Sequence, residues 1–324
     1  MTVKLLKMTR YLFIVTVGII SLLTACSGGR PAKSSVEITD SPVIVSSGRV
    51  ERFVMPCEYA KERIIDVWLP DGYSRKNKYS VLYAQDGNNL FDASKMFNNQ
   101  EWRLDEVTDS LMKENKISKT IIVGIHCTRY RFAEYLPQKA TDYLSEEGRI
   151  ALREEVGNCK SDSYLKFVVE ELKPFIEDNY SVKKGPGHTG IIGSSMGGLI
   201  SLYAICEYPE EFGSAACIST HWPGLIPSPR DTTYSLREGY FPEAMYRYME
   251  NSLPDPASHK IYFDHGDMTL DASYGPYQKK ADKVMENAGY TPDNWISRVF
   301  PGKAHVESSW ASRVHIPLLF MLGK

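Results

Sequence analysis

The stretch Gly193-Ser194-Ser195-Met196-Gly197 lies between an apolar run, Thr189 to Ile192, and a helix-like run, Gly198 to Tyr208. The pattern is G-x-S-x-G, placed where a strand would turn sharply into a helix. Glycines two positions to either side let the backbone turn tightly enough to raise the Ser195 hydroxyl above the end of a sheet. The helix start then directs free backbone N–H groups toward whatever the serine attacks. Because a serine hydroxyl is a weak nucleophile by itself, the arrangement needs a neighbouring base; without one, it is a Gly/Ser-rich turn.

The rest of the chain alternates between β-rich apolar runs and amphipathic helices, as expected for a mostly parallel sheet with helices on both faces. Together with the serine motif, this predicts an α/β-hydrolase fold with a twisted central sheet. An irregular stretch from Trp222 to Pro254, rich in Pro, Tyr and Arg, is interpreted as a short cap insertion that faces substrate. Besides the strand and helix around Ser195, the predicted strands are 63–69, 79–84, 119–125, 215–219, 260–264 and 295–300, and the predicted helices are 104–114, 163–180 and 277–289.

His305 is the candidate base. In an α/β-hydrolase the chain order is serine, acid and histidine, each after a strand. His305 follows the last predicted strand and precedes a terminal helix. The other histidines fit this order less well: His126 precedes the serine, His188 opens the nucleophile strand at its far end, His259 precedes a strand, and His315 lies inside the terminal helix.

The candidate acid comes from three carboxylates that follow Phe263 within eight residues of one another. Asp271, on the loop that enters the next helix, has the reach to orient the imidazole and is favoured. Asp267 is the rival, and Asp264, at the end of the strand, is expected to cap a neighbouring turn. The sequence leaves the choice between Asp271 and Asp267 open.

An ester carbonyl oxygen becomes negative as a serine attacks it, so it needs two N–H donors. We expect one donor to be the backbone N–H of Met196, directly after the nucleophile. The other is expected from the loop Gln85 to Asn89, where Asn88 is the candidate. The Asp86-Gly87 pair in this loop is also an ordinary turn sequence, and the two roles are compatible.

Four ordered segments, 83–91, 131–137, 193–198 and 305–310, resemble the bacterial Putative esterase family. These are esterase D-like α/β-hydrolases related to feruloyl, acetylxylan and siderophore esterases and to mycolyltransferases. The resemblance covers most of residues 46–324 and implies an α/β-hydrolase fold, a serine acyl-enzyme mechanism and no cofactor. Such proteins often have Thr-Glu or a nearby acid directly after the glycine of the acid loop, whereas this chain has Asp267-Met268-Thr269, and that departure leaves the choice of acid open. The family's substrates are diverse, and membership does not identify the ester.

Three residues near strand ends, Trp222, Arg131 and Trp102, are candidates for the walls of a substrate pocket. Trp222 is expected to stack on a sugar or aromatic ring. In the alternative interpretation, the tryptophans pack in the core and Arg131 pairs structurally with Glu134.

Residues 1–26 have the pattern of an export signal, with basic residues before a mostly apolar run from Tyr11 to Ala25. That run is short for a membrane span, which needs about 20 residues. Leu23-Thr24-Ala25-Cys26 resembles the lipobox of bacterial lipoproteins, which makes Cys26 the candidate lipidation site. The alternatives are an ordinary secretory signal or an uncleaved anchor. Residues 27–45 are small and polar enough for a flexible tether, and residues 46–324 are expected to form one domain.

The charge and cysteine content of the chain give no sign of nucleic-acid binding or of a metal site. The formal charge is −2, and loss of the signal with its three basic residues leaves about −5, spread along the chain. No basic stripe with interleaved aromatic residues favours nucleic acid. The cysteines after Cys26 form an odd, irregular set, and no ligand spacing indicates a metal.

The sequence thus predicts a monomeric serine carboxylic-ester hydrolase without cofactor or metal. We expect it to be exported, to contact the bacterial envelope membrane only through its lipid anchor, and to act on a small-molecule or glycan ester. Acyl groups esterified to carbohydrate are the favoured substrate. The alternatives are a siderophore esterase, an acyltransferase on the same fold, or a non-catalytic surface lipoprotein that binds glycans.

Overall fold

The computed structural model describes residues 37–38, 43–95, 99–224 and 240–324. These residues form a sheet of nine strands: β1 (Glu37–Ile38), β2 (Arg49–Met55), β3 (Arg63–Leu69), β4 (Ser80–Gln85), β5 (Thr120–Ile125), β6 (Thr189–Ser194), β7 (Ser214–Ile218), β8 (Lys260–His265) and β9 (Trp295–Val299). The order across the sheet is β1-β2-β3-β5-β4-β6-β7-β8-β9. The strands from β5 to β9 in this order pair in parallel, and the first three are joined to them antiparallel.

The helices connect and cover these strands. They are α1 (Leu104–Lys113), α2 (Arg131–Tyr135), α3 (Glu146–Val156), α4 (Ser161–Lys166), α5 (Lys173–Asn179), α6 (Met196–Glu207), α7 (Tyr240–Ser252), α8 (Tyr274–Asn287), α9 (Glu307–Ala311) and α10 (His315–Leu322). A π-helical segment, Phe167–Leu172, joins α4 to α5. Parallel strands with helical connections place all their carboxyl ends at one edge of the sheet, where ligands bind in open α/β folds.

Two apolar cores flank the sheet, because successive side chains of a strand point to opposite faces. On β4, Val81 and Tyr83 join one core while Leu82 and Ala84 join the other. Helix α6 is buried along almost its whole length, as expected for a helix that is apolar on every side. This packing fixes the start of α6 against the carboxyl edge of the sheet.

The predicted fold class is confirmed, and the predicted strands lie within one or two residues of those observed. The two strands β1 and β2 were not predicted. Residues 37–38, assigned above to the tether, pair with β2, and Val43 and Val45 pack against the core. Strand pairing and partly buried apolar side chains are therefore found within residues 37–45, which the prediction assigned to a tether.

The stretch from Trp222 to Pro254, expected to be an irregular cap, includes helix α7 in its second half. Phe241, Met245 and Met249 are buried there, and their spacing of four residues forms a stripe that packs on the core. Residues 225–239 lie outside the described residues. So does the predicted signal with Cys26. No helix in the described ranges has the length and apolar character needed to cross a membrane.

Candidate active site

Ser195 occupies a sharp turn between β6 and α6. Its backbone has φ 58° and ψ −125°, a conformation that costs a non-glycine residue about 1–3 kcal/mol. Its N–H donates to the Ile218 carbonyl (2.9 Å), and its own carbonyl accepts from His221 N–H (3.2 Å). These two bonds hold the strained turn against the end of β7. The Ser195 side chain is partly exposed, while its neighbours in the motif are buried.

The two glycines of the motif are required by close contact between them. A Cβ added at Gly193 would lie 2.4 Å from the carbonyl oxygen of Gly197. A Cβ added at Gly197 would lie 3.2 Å from the Asp86 carboxylate. Because neither residue has a side chain, the two ends of the serine turn pack against each other, and Gly197 packs against the loop after β4.

The structure brings His305 and Asp271 together. His305 Nδ1 lies 2.6 Å from Asp271 Oδ1, and Asp271 Oδ2 accepts from the Ser219 hydroxyl (2.7 Å) and from Gly266 N–H (2.6 Å). Burial raises the pKa of Asp271, but the hydrogen bonds from these three donors outweigh it and hold the pKa below its usual range. Because an ionised carboxylate only accepts, Nδ1 carries the imidazole proton and Nε2 is left as the basic nitrogen.

The loops that carry the acid and the histidine are bonded to each other. The N–H groups of Asp267 and Met268 both donate to the Lys303 carbonyl (3.1 Å each), and His305 N–H donates to the Thr269 hydroxyl (2.9 Å). A Cβ at Gly266 would lie 2.0 Å from that same Lys303 oxygen, so only glycine permits the approach.

The two other carboxylates of this segment face elsewhere. Asp267 is exposed and accepts from Gly302 N–H (2.6 Å). Asp264 is buried and pairs with Arg313 (3.0 Å), besides accepting weakly from Ser219 N–H (3.4 Å). Of the three candidates, Asp271 is the one in contact with the imidazole.

Two aromatic side chains that sequence reasoning missed bracket the His305 ring. Tyr274 and Trp310 lie perpendicular to it, with ring centroids 5.7 Å and 5.1 Å away. The Tyr274 hydroxyl lies 2.6 Å from Nδ1 of His221, whose backbone contacts Ser195. A continuous chain of contacts thus joins the serine turn to the imidazole. Trp310 belongs to segment 305–310, which resembles the esterase family, but no spacing in the sequence indicates its contact with His305.

The expected oxyanion donors lie at the start of α6 and in the loop after β4. Met196 is the first residue of α6, where backbone N–H groups have no partner within the helix. Asn88 lies in a short 3-10 segment after β4, and its side chain bonds Asn89 and accepts from the Cys127 thiol (3.4 Å). Asn89 in turn donates to Glu307 (3.3 Å), which connects this loop to the helix after His305.

Arg131 is bonded to the same loop. Its guanidinium makes two bonds of 2.7 Å to Asp86, whose backbone is left-handed with φ 53°. The alternative pairing of Arg131 with Glu134 is not observed, since Glu134 bonds the buried Arg63 (2.8 Å). The Asp86 carboxylate also packs against Gly197, where an added Cβ would lie 3.2 Å from it. Arg131 therefore acts on the serine turn through Asp86.

A second histidine–carboxylate pair supports the loop from behind. His126 Nε2 lies 2.8 Å from Asp66, which also receives two bonds of 2.6 Å from Arg52. A Cβ added at Gly87 would lie 2.8 Å from His126 and 2.7 Å from the Gly124 backbone. The pair therefore packs against the loop after β4.

Trp222 and Trp102 are not on pocket walls. They are 1% and 2% exposed, and Trp222 Nε1 donates to Gln278 (3.0 Å). Their large apolar rings fill the core. The position of a tryptophan near a strand end was therefore not enough to predict that its ring is exposed to a ligand.

Within the described ranges no cluster of three or more His, Cys, Asp or Glu side chains is arranged to hold a metal ion. The five cysteines after Cys26 are all free.

A sequence model of the Putative esterase family matches residues 58–299. The chain belongs to this family. It is 30% identical over 168 residues to the Uncharacterized protein YbbA of Bacillus subtilis (strain 168), covering 50% of this chain and 59% of that protein. It is 25% identical over 153 residues to the Siderophore enterobactin esterase of Emericella nidulans, covering 45% of this chain and 47% of that protein. The chain thus spans roughly half of the length of these curated relatives.

Among solved structures, a ferulic acid esterase is similar with a TM-score of 0.60 and 20% sequence identity. The match covers 86% of this chain and 99% of that one. At this identity the likeness shows a shared fold, which agrees with the α/β sheet and strand order described above.

Proposed function

We propose that this protein is a serine carboxylic-ester hydrolase. The observation that carries the proposal is the hydrogen bond from His305 to Asp271 at the sheet edge where Ser195 sits on its strained turn. Membership of the esterase family and the fold shared with a ferulic acid esterase support it. A nucleophile, a base and an acid in this chain order are what acyl transfer through a covalent intermediate requires.

In the proposed reaction, the Ser195 hydroxyl attacks the ester carbonyl while Nε2 of His305 takes its proton. Asp271 holds the imidazole with the proton on Nδ1 and stabilises the imidazolium that forms. The N–H groups of Met196 and Asn88 receive the carbonyl oxygen as it becomes negative. His305 then gives its proton to the departing alcohol, and the same residues activate a water that releases the acyl group and regenerates the serine.

For the substrate we propose an acyl group esterified to carbohydrate. The fold shared with a ferulic acid esterase favours this class. The match to an enterobactin esterase favours the second candidate, a siderophore ester. Transfer of the acyl group to a sugar or alcohol uses the same residues and differs in the exclusion of water. We also propose export and lipid anchoring at Cys26, on the sequence pattern of residues 1–26.

Hydrolysis of short p-nitrophenyl esters by the full chain in detergent tests the activity. Ser195→Ala should lower kcat by at least about 10⁴-fold, and a fluorophosphonate probe should label the wild type and not this variant. Ser194→Ala, which changes the adjacent buried serine, is the matched control and should keep kcat within about tenfold. Turnover that survives Ser195→Ala would refute the proposal. If the wild type shows no turnover or labelling but still binds glycans, a non-catalytic binding lipoprotein is supported instead.

For the substrate class, acetylated and feruloylated glycans are compared with siderophore esters, and products are analysed with and without added alcohol acceptors. Release of free acid from glycans supports the first candidate. Esters of the added acceptor would indicate transfer.

A further inference from the structure

We propose that Ser219 is a positioning residue of this active site, through which a buried arginine and a tryptophan fix the acid of the triad. The inference rests on the proposed function, since it assigns a role within that reaction. Ser219 follows β7 directly, is fully buried, and has a left-handed backbone with φ 43°. A left-handed backbone at a non-glycine residue costs free energy. The contacts of the Ser219 hydroxyl indicate what this buried side chain contributes.

The hydroxyl of Ser219 has three polar neighbours. It lies 3.0 Å from Trp310 Nε1, 2.9 Å from an Arg313 terminal nitrogen and 2.7 Å from Asp271 Oδ2. An indole N–H and a guanidinium only donate, so they occupy both acceptor positions of the hydroxyl. Its single proton must therefore point at Asp271. The direction of this hydrogen bond is determined by its other two partners.

Arg313 is held in place by a second carboxylate. Its guanidinium makes two bonds to Asp264, of 3.1 Å and 3.0 Å, and both side chains are almost completely buried. The Asp264 backbone carbonyl also accepts from Ser219 N–H (2.7 Å). The ion pair leaves little net charge in the core, while a further N–H of Arg313 remains directed at the Ser219 hydroxyl.

The consequence for Asp271 is that its carboxylate has three hydrogen-bond donors around it. Oδ2 receives Ser219 O–H and Gly266 N–H, and Oδ1 receives His305 Nδ1–H. A protonated Asp271 would find no acceptor for its proton on Ser219, because that oxygen already accepts twice. The network thus keeps Asp271 ionised and its Oδ1 aimed at the imidazole, which keeps Nε2 of His305 free to accept a proton.

Trp310 has two roles in this arrangement. Its ring packs against the His305 ring at 5.1 Å, and its N–H bonds Ser219. One side chain therefore locates both the imidazole and the hydroxyl that orients the acid. Sequence spacing could not show this, because the ends of β7 and β8 and the region of α9 meet only in the folded chain.

The test uses Ser219→Gly and Ser219→Ala in the full-length protein. Glycine suits the positive φ, and alanine retains the Cβ, so the two variants separate backbone strain from loss of the hydroxyl. We expect each to lower kcat for a p-nitrophenyl ester by about 10- to 100-fold, as for loss of a hydrogen bond to a charged group, with little change in KM. Ser214→Ala, a buried serine at the other end of β7, should retain wild-type kcat.

A readout independent of turnover is the tautomer of His305, measured by ¹⁵N NMR. The wild type should show the proton on Nδ1, and both Ser219 variants a mixture, because Asp271 can then rotate. A purely structural role would lower the melting temperature and leave the tautomer unchanged. Wild-type kcat and tautomer in both variants would overturn the proposal, as would loss of the folded state in both. The NMR measurement needs no substrate, so it can test the role of Ser219 even if the protein does not hydrolyse esters.

Discussion

Replacing Asp271 with asparagine should reverse the tautomer of His305. The carboxylate oxygen Oδ2 accepts two hydrogen bonds, from Ser219 and Gly266, so the asparagine must place its carbonyl oxygen there. Its NH₂ group then takes the position of Oδ1, 2.6 Å from Nδ1 of His305. Two donors cannot face each other, and Nδ1 becomes the acceptor. The imidazole proton moves to Nε2, the nitrogen that should receive the proton of Ser195.

The expected loss follows from this reversal. With Nε2 protonated, the imidazole cannot act as a base in its stable form, while the proposed oxyanion donors, Met196 and Asn88, remain in place. An acid-to-amide change of this kind in a serine-protease triad lowers kcat by about 10⁴-fold. That factor corresponds to about 5.5 kcal/mol of transition-state stabilisation. KM should change little, because Asp271 is almost completely buried and contacts the imidazole of His305.

The assay compares Asp271→Asn with Asp267→Asn, the acid that the sequence left as the rival. We expect kcat on p-nitrophenyl esters to fall by about 10⁴-fold in the first variant and by less than about threefold in the second, whose carboxylate is exposed and accepts from the Gly302 N–H. ¹⁵N NMR should show the Nε2–H tautomer in Asp271→Asn alone. If Asp267→Asn loses the activity and Asp271→Asn keeps it, or if Asp271→Asn retains the Nδ1–H tautomer, the reasoning is refuted.

Three further outcomes are expected. Gly87→Ala should lower kcat by about 100-fold, because its Cβ would lie 2.7 Å from the Gly124 backbone and would displace the loop 85–89, which carries the proposed oxyanion donor Asn88; steady-state kinetics and thermal unfolding measure this. Arg131→Lys should lower kcat about tenfold by removing the two-pronged bond to Asp86, which a lysine cannot make. Asp66→Asn should make the free energy of unfolding fall less steeply as the pH is lowered. Burial raises the pKa of Asp66, but its hydrogen-bonded partners hold the pKa below the usual value; its stabilisation is therefore complete above the unfolded pKa of about 3.9 and is lost as pH falls through the lower folded value.

Each of these outcomes has a control. Gly187→Ala, where an added Cβ meets nothing within 4 Å, should leave kcat and stability unchanged; equal losses in both glycine variants would contradict the steric argument. Arg149→Lys, on α3, should not alter kcat. Urea unfolding of wild type and Asp66→Asn between about pH 2 and pH 5 decides the third prediction. Parallel curves over this range would show that Asp66 is not a source of the acid sensitivity.

Much of the parallel sheet could be predicted because its signals are local. Buried parallel strands read as continuous apolar runs, and β4 and β5 were located from such runs. Strand β2 was missed because its sequence, Arg49–Met55, mixes charged and apolar residues, as suits a strand near the sheet edge. Helix α7 was missed because the adjoining Pro- and Arg-rich stretch obscured its apolar stripe.

The sequence by itself determined the class of the fold, the position of Ser195 at a strand–helix turn, and the order in which an acid and a histidine follow it. These depend on periodicity, on glycine and on chain order, which are properties of neighbouring residues. Tertiary structure decided which carboxylate reaches His305, that Trp222 and Trp102 are buried, and that Ser219 orients Asp271. Each of these is a contact between segments many residues apart, whose distance is set by how β7, β8 and the last helices pack together.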